Sequence, residues 1–403
     1  MRLINLTTEN FRNLAENPPE FTEGLNMLYG NNAAGKTNTL EAIYLFAAGK
    51  SFRTKSDRDF IAHGKEFSHA EICFESVDVK KKQMAINFLA SGQNTLKAMF
   101  VEGNAVDRAS EFLGNFRAVL FTPDHLELVK GAPEERRRLV DVALCQIKPR
   151  FVKALNEYGK VLSQRNNYLK NVKIRSQKAD EEYLDVLNKQ LAQAGGVIIK
   201  QRGLYCENLD RHASCAYGNI TSDKERLFVN YMSRAKIENL SDENECAASL
   251  YKLYRASTAK DIEAGRTSVG PHRDEIMIYI AKSDEGKTVM NDARRQFEKD
   301  EADGDKERAS AFAARTFGSQ GQQRSAVLAM KMAEGEIAKE RCGEYPVYLL
   351  DDLFSELDTG RKHRLCNMLE GRQCIITVCD KASIPDMYAT NIINVSDGRY
   401  EKA

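Results

Sequence analysis

Gly30-Asn31-Asn32-Ala33-Ala34-Gly35-Lys36-Thr37 is the stretch from which this chain is read. The apolar run Leu25-Asn26-Met27-Leu28-Tyr29 before it suits a buried strand, and Leu40, Ile43 and Phe46 after it recur at helical spacing. Strand, glycine loop and helix in that order form a phosphate cradle. Gly30 and Gly35 allow backbone angles closed to other residues, so consecutive N–H groups from Asn31 to Ala34 can point at one set of oxygens. The helix N-terminus adds partial positive charge. In this pattern Lys36 reaches the β- and γ-phosphates of a nucleotide, and the Thr37 hydroxyl ligates Mg²⁺.

The rest of the site is expected from the other end of the chain. Pro346-Val347-Tyr348-Leu349-Leu350 is a β-type run too short for a helix, and it ends in Asp351-Asp352. Asp351 is the expected Mg²⁺ partner, through water, because Mg²⁺ keeps several waters and takes few carboxylates. Asp352, one position on, is placed to orient or deprotonate the water that attacks the γ-phosphate. An acidic pair after a strand can also merely start a turn; the glycine loop favours the catalytic reading. Ser319-Gln320-Gly321-Gln322-Gln323-Arg324-Ser325 is a polar entry to a helix over Ala326–Ala333. A Ser and a Gly before a helix make a second phosphate-binding geometry, or an ordinary cap.

Together these segments resemble the ABC-type ATPase heads of the SMC group: a Walker A loop, a Ser-x-Gly-Gln-Gln signature, and a Walker B strand followed by Phe354-Ser355-Glu356-Leu357-Asp358. More narrowly the chain resembles the bacterial RecF family. Matching stretches run from end to end: Asn10-Phe11-Arg12-Asn13, Gly49-Lys50-Ser51-Phe52-Arg53, Glu135-Arg136-Arg137-Arg138, Gln164-Arg165-Asn166 and Gly270-Pro271-His272-Arg273-Asp274. The resemblance implies an ATP-dependent head-to-head homodimer in which Ser319, Gln320, Gly321 and Gln322 complete the partner's site. By the same carry-over Asp358 lies in the loop crossing between sites, and Arg12 lies near the nucleotide. It also implies slow ATP hydrolysis coupled to binding of single-stranded or gapped DNA in recombinational repair, replication restart and the SOS response, with RecO and RecR as partners. Two departures stand out. Thr377-Val378-Cys379-Asp380 stands where a γ-phosphate sensor is usual, and Glu275 replaces an Asp that often ends the family's Gly270–Asp274 stretch, to which no role is assigned.

Composition narrows the classes further. The 403 residues are long enough for two or three domains, and they contain no signal-peptide-like start and no run of ~20 apolar residues, so a cytoplasmic protein without membrane spans is expected. Nine Cys without CxxC spacing, and six scattered His, fit reduced thiols better than disulfides or zinc.

Net charge is only +1, yet twelve Lys/Arg face four acids between Pro133 and Lys178. Arg136, Arg137, Arg138 and Arg165 in this stripe are candidate DNA contacts; a solvated helix face is the alternative. In the same region Phe151, Leu155, Tyr158, Leu162, Leu169 and Val172, then Leu184, Leu187, Leu191, Ala194 and Ile198, predict an antiparallel helical hairpin of about three heptads per arm, with Arg165 in the one polar place. Residues 281–311 are densely charged and predict a loop.

The expected architecture is an α/β ABC-type P-loop head from 1–130 and 266–403, interrupted by a mainly helical domain over 131–265. The rival readings are a P-loop small-molecule kinase, another SMC- or ABC-type ATPase such as a transporter subunit, and an ATP-binding scaffold.

Overall fold

The computed structural model describes residues 1–16, 19–128, 131–221, 225–235, 237, 239–282, 320–381 and 389–402. The chain divides into two compact units. The first comprises Met1–Leu126, Cys145–Ile147 and Leu328–Ala403; the second comprises Glu127–Leu144 and Lys148–Val327. From the N-terminus the elements are β1 (Arg2–Glu9), β2 (Leu25–Tyr29), α1 (Lys36–Ala48), β3 (Phe67–Ser76), β4 (Val79–Ser91), β5 (Asn94–Val101), β6 (Asn104–Val106), α2 (Ala109–Phe112) and β7 (Ala118–Phe121). There follow α3 (Pro133–Ile147), α4 (Pro149–Arg175), α5 (Glu181–Thr221), β8 (Glu225–Met232), α6 (Glu243–Ala264) and β9 (Glu275–Lys282). The last group is α7 (Gln320–Cys342), β10 (Val347–Leu350), α8 (Thr359–Met368), β11 (Cys374–Val378), β12 (Ala389–Ser396) and β13 (Arg399–Lys402).

The first unit is built on a six-stranded sheet in the order β13-β12-β2-β11-β10-β7. Every neighbour in it is parallel except β12 with β13. Strands β7, β10 and β11 are buried at every position, which is why their sequences are near-continuous apolar runs instead of alternating ones. Because the strands are parallel, the C-terminal ends of β2, β10 and β11 open on one edge. The strand carrying Asp351 is not the direct neighbour of β2; β11 stands between them. A second, antiparallel sheet, β1-β3-β4-β5-β6, belongs to the same unit. Gln373 joins the two by accepting from Leu3 N (2.7 Å) and donating to Leu3 O (2.8 Å) and Thr22 O (2.9 Å). Phe11, Phe60 and Phe88 stack in its core, with centroids 5.3 and 4.7 Å apart.

The second unit holds α4, α5, α6 and the antiparallel pair β8/β9. The predicted hairpin is present. Phe151, Tyr158, Leu169, Val172, Leu184, Leu187, Leu191, Ala194 and Ile198 are all buried, whereas Leu155 and Leu162 are only half-buried, their places taken by Ala154 and Val161. That shift is the drift of a straight 3.6-residue helix against a 3.5-residue repeat. The second arm is far longer than three heptads: α5 has 41 residues, and it packs on α6 as well as on β8, with Asp210 in its later half accepting from Val229 N. Strand β9 pairs with β8 along its length, so residues 266–282 lie with the helical unit and not with the head lobe expected from 266 onward. The chain re-enters the first unit at Leu328, inside α7. From 283 the expected charged loop lies outside the described residues. All nine cysteines are among the described residues, and none of them is in a disulfide.

Candidate nucleotide site

Backbone geometry sets the phosphate loop. At Gly30 φ is 153°, and a Cβ there would stand 2.1 Å from the Val395 carbonyl on β12, so a side chain is excluded where the chain leaves β2. Gly35, at φ 114°, precedes α1 without a side-chain cap, leaving the first-turn N–H groups to water or a ligand. The Lys36 ammonium donates to the carbonyls of Gly30 (2.5 Å) and Asn31 (2.8 Å), which lays it across the loop.

Three separate segments meet beside it. The Thr37 hydroxyl donates to Asp351 Oδ1 at 2.9 Å, and Thr377 at the end of β11 donates to the same oxygen at 2.8 Å. Thr377 Oγ1 also accepts the Asp352 N–H at 2.9 Å. Burial pushes the Asp351 carboxyl pKa up, and the hydrogen bonds from Thr377 and Thr37 oppose that rise. Asp352 sits at φ 45°, a left-handed conformation that costs a non-glycine residue on the order of 1–3 kcal/mol. The bond to Thr377 and the one from Ser355 Oγ to the Asp352 carbonyl (2.7 Å) hold it there. A cavity of about 460 Å³ opens over this group, lined by Asn13, Asn32, Ala33, Gly35 to Asn38, Arg53, Asp351, Asp352, Thr377 and Cys379. The Thr37 hydroxyl and Asp351 carboxylate are hard oxygen donors side by side, which fits Mg²⁺ held by few protein oxygens and several waters. Among the described residues no cluster of His, Cys, Asp and Glu forms an all-protein metal cage.

Arg12, expected near the nucleotide, is not among the residues lining this cavity. Its guanidinium is held by Glu41 of α1, through Nη2 to Oε1 at 2.8 Å and a closer Nε contact to Oε2, and it is Asn13 and Arg53 that line the cavity. Glu41 is fully buried and also accepts from Ser51; Arg53 bonds Asn38 at 2.7 Å. Asn13 donates to the Ala33 carbonyl (3.0 Å) and accepts from Asn38 (2.7 Å), bracing the loop from outside. Sequence reasoning gave no role to Asn13, Arg53 or Glu41. The signal was available: Asn13 and Arg53 fall in matched stretches, and Glu41 lies one turn beyond Thr37 on an otherwise apolar face.

Of the signature segment, Ser319 lies outside the described residues. Helix α7 begins at Gln320, earlier than expected, so Gly321 to Ser325 are helical; Ser325 Oγ bonds back to the Gly321 carbonyl at 3.0 Å. Gln322 donates to Glu225 of β8 at 2.7 Å. Asp358 caps α8, accepting from Arg361 N at 2.9 Å, and that bond holds its carboxyl pKa below the ordinary value.

Two of the four candidate DNA arginines are not surface groups. Arg165 is 0% exposed and donates to Asp261 (2.8 Å), Thr267 (2.8 Å) and Asn188 (3.0 Å). Arg136 forms a bidentate pair with Glu275, both bonds 2.9 Å. Both stand as buried cations and not as the DNA contacts expected of them, because a guanidinium enclosed in the interior and paired with a carboxylate presents nothing to a phosphate backbone. Arg137 is half-buried and donates to the Asp274 carbonyl at 2.7 Å, and Arg138 is exposed.

Residues 2–400 match the RecF/RecN/SMC N-terminal domain family. The chain is 36% identical over 382 residues to the DNA replication and repair protein RecF of Clostridium perfringens, covering 94% of this chain and 92% of that protein. The RecF of Pediococcus pentosaceus is 33% identical over 405 residues, covering 99% and 98%. Among solved structures, the recombination mediator RecF-ATP of the RecFOR pathway superposes with a TM-score of 0.84 at 32% identity, covering 100% of this chain and 97% of that one. An Smc head bound to the C-terminal winged-helix domain of ScpA, at 15% identity and a TM-score of 0.52, shares the ABC-type head fold. Among the described residues no helix is long and apolar enough to cross a membrane.

Proposed function

The chain belongs to the RecF family of DNA replication and repair proteins, and from that premise we propose that it is an ATP-dependent DNA-binding protein of recombinational repair, replication restart and SOS induction. The single observation that supports this most is the Thr37–Asp351–Thr377–Asp352 constellation beside the phosphate loop. The loop amides and Lys36 bind the phosphates of ATP. Thr37 and Asp351 would hold Mg²⁺, which would supply positive charge against the charge developing on the phosphates. Asp352 accepts a proton from, or orients, the attacking water, and its fixed left-handed backbone sets where that carboxylate points. Arg53 supplies a cation at the cavity wall.

ATP then acts as a switch. Two copies close when the Ser319 segment of one meets the γ-phosphate of the other, and slow hydrolysis reopens them. The closed dimer holds single-stranded DNA or the junctions of gapped duplex, with RecO and RecR as partners. Arg138 remains a candidate contact.

The test is binding of a gapped duplex with and without ATP at two salt concentrations, for wild type, Lys36→Met and Ser319→Arg, beside dimer mass by light scattering. ATP should raise both mass and affinity, and each substitution should abolish the gain. DNA binding indifferent to ATP would sink the switch and leave only a nucleotide site; phosphoryl transfer to an acceptor other than water would favour a kinase.

A further inference from the structure

The Gly270-Pro271-His272-Arg273-Asp274 turn uses four of its five residues to hold itself in the second unit. Gly270 has φ 119°, and a Cβ there would lie 2.2 Å from the Tyr254 hydroxyl. The Pro271 carbonyl accepts from Arg202 at 2.7 Å. The His272 ring lies between the Tyr158 hydroxyl (2.7 Å) and the Thr267 carbonyl (3.4 Å). Asp274 is fully buried, bonded by the Tyr231 hydroxyl and by Arg234 N at 3.3 Å. These bonds bring the loops carrying Arg234 and Arg266 against Arg273. The neighbouring carboxylates are already taken: Asp141 by Arg202, Asp261 by Arg165 and Glu275 by Arg136. Among the described residues the guanidinium groups of Arg273, half-buried with its Nε sealed from solvent, and of Arg266, exposed, have no hydrogen-bond or carboxylate partner.

We propose that Arg273 and Arg266 bind backbone phosphates of nucleic acid. The assignment rests on the DNA-binding reading above and names the contact surface that the buried Arg136 and Arg165 do not supply. Planar guanidinium forks match phosphate oxygens bidentately, and a partly desolvated cation without a counter-charge is completed by an anion from outside. Burial, and then the like charges of Arg266 and Arg234, lower the Arg273 pKa, so this side chain sits where it does at a cost to the fold.

The experiment uses the full chain with ATP. Fluorescence anisotropy on a gapped duplex over a salt series compares wild type with Arg273→Gln, Arg266→Gln and Arg273→Lys. Losing one phosphate contact should weaken binding about tenfold near ~0.1 M salt and flatten the log–log salt slope by about 0.9, with Lys retaining the slope. Thermal melting of Arg273→Gln should be unchanged or higher, because a like-charged, desolvated group is removed; a large fall marks a structural arginine and overturns the site. Phenylglyoxal labelling read by mass spectrometry should show Arg273 and Arg266 protected by the duplex. Protection by inorganic phosphate alone, at matched ionic strength, overturns the nucleic-acid assignment. If wild type binds DNA and both Gln variants match it in affinity and slope, this site is wrong and the general reading survives. If wild type binds no DNA under any condition, both fail.

Discussion

Thr377 touches both acidic residues of the site through one hydroxyl, donating to Asp351 and accepting from the Asp352 amide. Thr377→Val keeps the shape and deletes both bonds, so the carboxylate loses its aim and a partly buried N–H loses its acceptor. Outer-shell losses of this kind cost about 10–100-fold. We predict a fall of that size in the hydrolysis rate with a smaller change in KM for ATP, largely restored in Thr377→Ser, measured by steady-state phosphate release. A second residue-scale prediction concerns pH. Burial, and then the charge of Arg273, push the His272 pKa from 6.5 down to about 3. The unfolded chain therefore binds the extra proton first as pH falls, so the contribution of His272 to stability is present above 6.5 and is lost on acidification toward 3. The slope reaches about 1.4 kcal/mol per pH unit in that window. His272→Gln should flatten the acid limb of a urea-midpoint-versus-pH curve; an unchanged limb would show that other groups control it.

At the scale of elements, the phosphate loop was legible because its chemistry is local: glycines, a lysine and a hydroxyl act through consecutive residues between one strand and one helix. The acidic pair was legible for the same reason. Thr377 and Glu41 were not, because their meaning comes from β11 entering between β2 and β10 and from Arg12 arriving from another part of the chain. The basic stripe of α3 and α4 misled in part. Arg165 already stood out as the polar member of an apolar seam, but its partners come from α5, α6 and the Thr267 loop, which no local pattern reveals. The energetic consequence is testable. Removing one member of a buried pair leaves an uncompensated charge, at a cost of about 3–5 kcal/mol. Asp261→Ala should destabilise the helical unit by that amount in urea unfolding followed by circular dichroism, whereas Arg138→Ala, on the exposed side of α3, should leave stability nearly unchanged. Equal effects would contradict the assignment of Arg165 to the interior.

For the whole molecule, the paired carboxylates Asp351 and Asp352 and the phosphate loop come from opposite ends of one chain, so on the proposed mechanism binding and hydrolysis can be separated by substitution. In the proposed mechanism Lys36 binds the phosphates, and Asp352 acts on water after ATP is in place. If hydrolysis is what reopens the dimer, Asp352→Asn should bind ATP, dimerise and then persist, because the amide still occupies the site but no longer accepts the proton. Loss of a general base costs about 10²–10⁴-fold in rate. Lys36→Met should never dimerise. Light scattering after ATP addition, followed until the nucleotide is exhausted, separates the outcomes: wild type should rise and decay, Asp352→Asn should rise and stay, Lys36→Met should stay flat. A wild-type decay matched by Asp352→Asn would mean that the dimer opens by nucleotide release, and the role of Asp352 would then be confined to the fold of the turn it occupies.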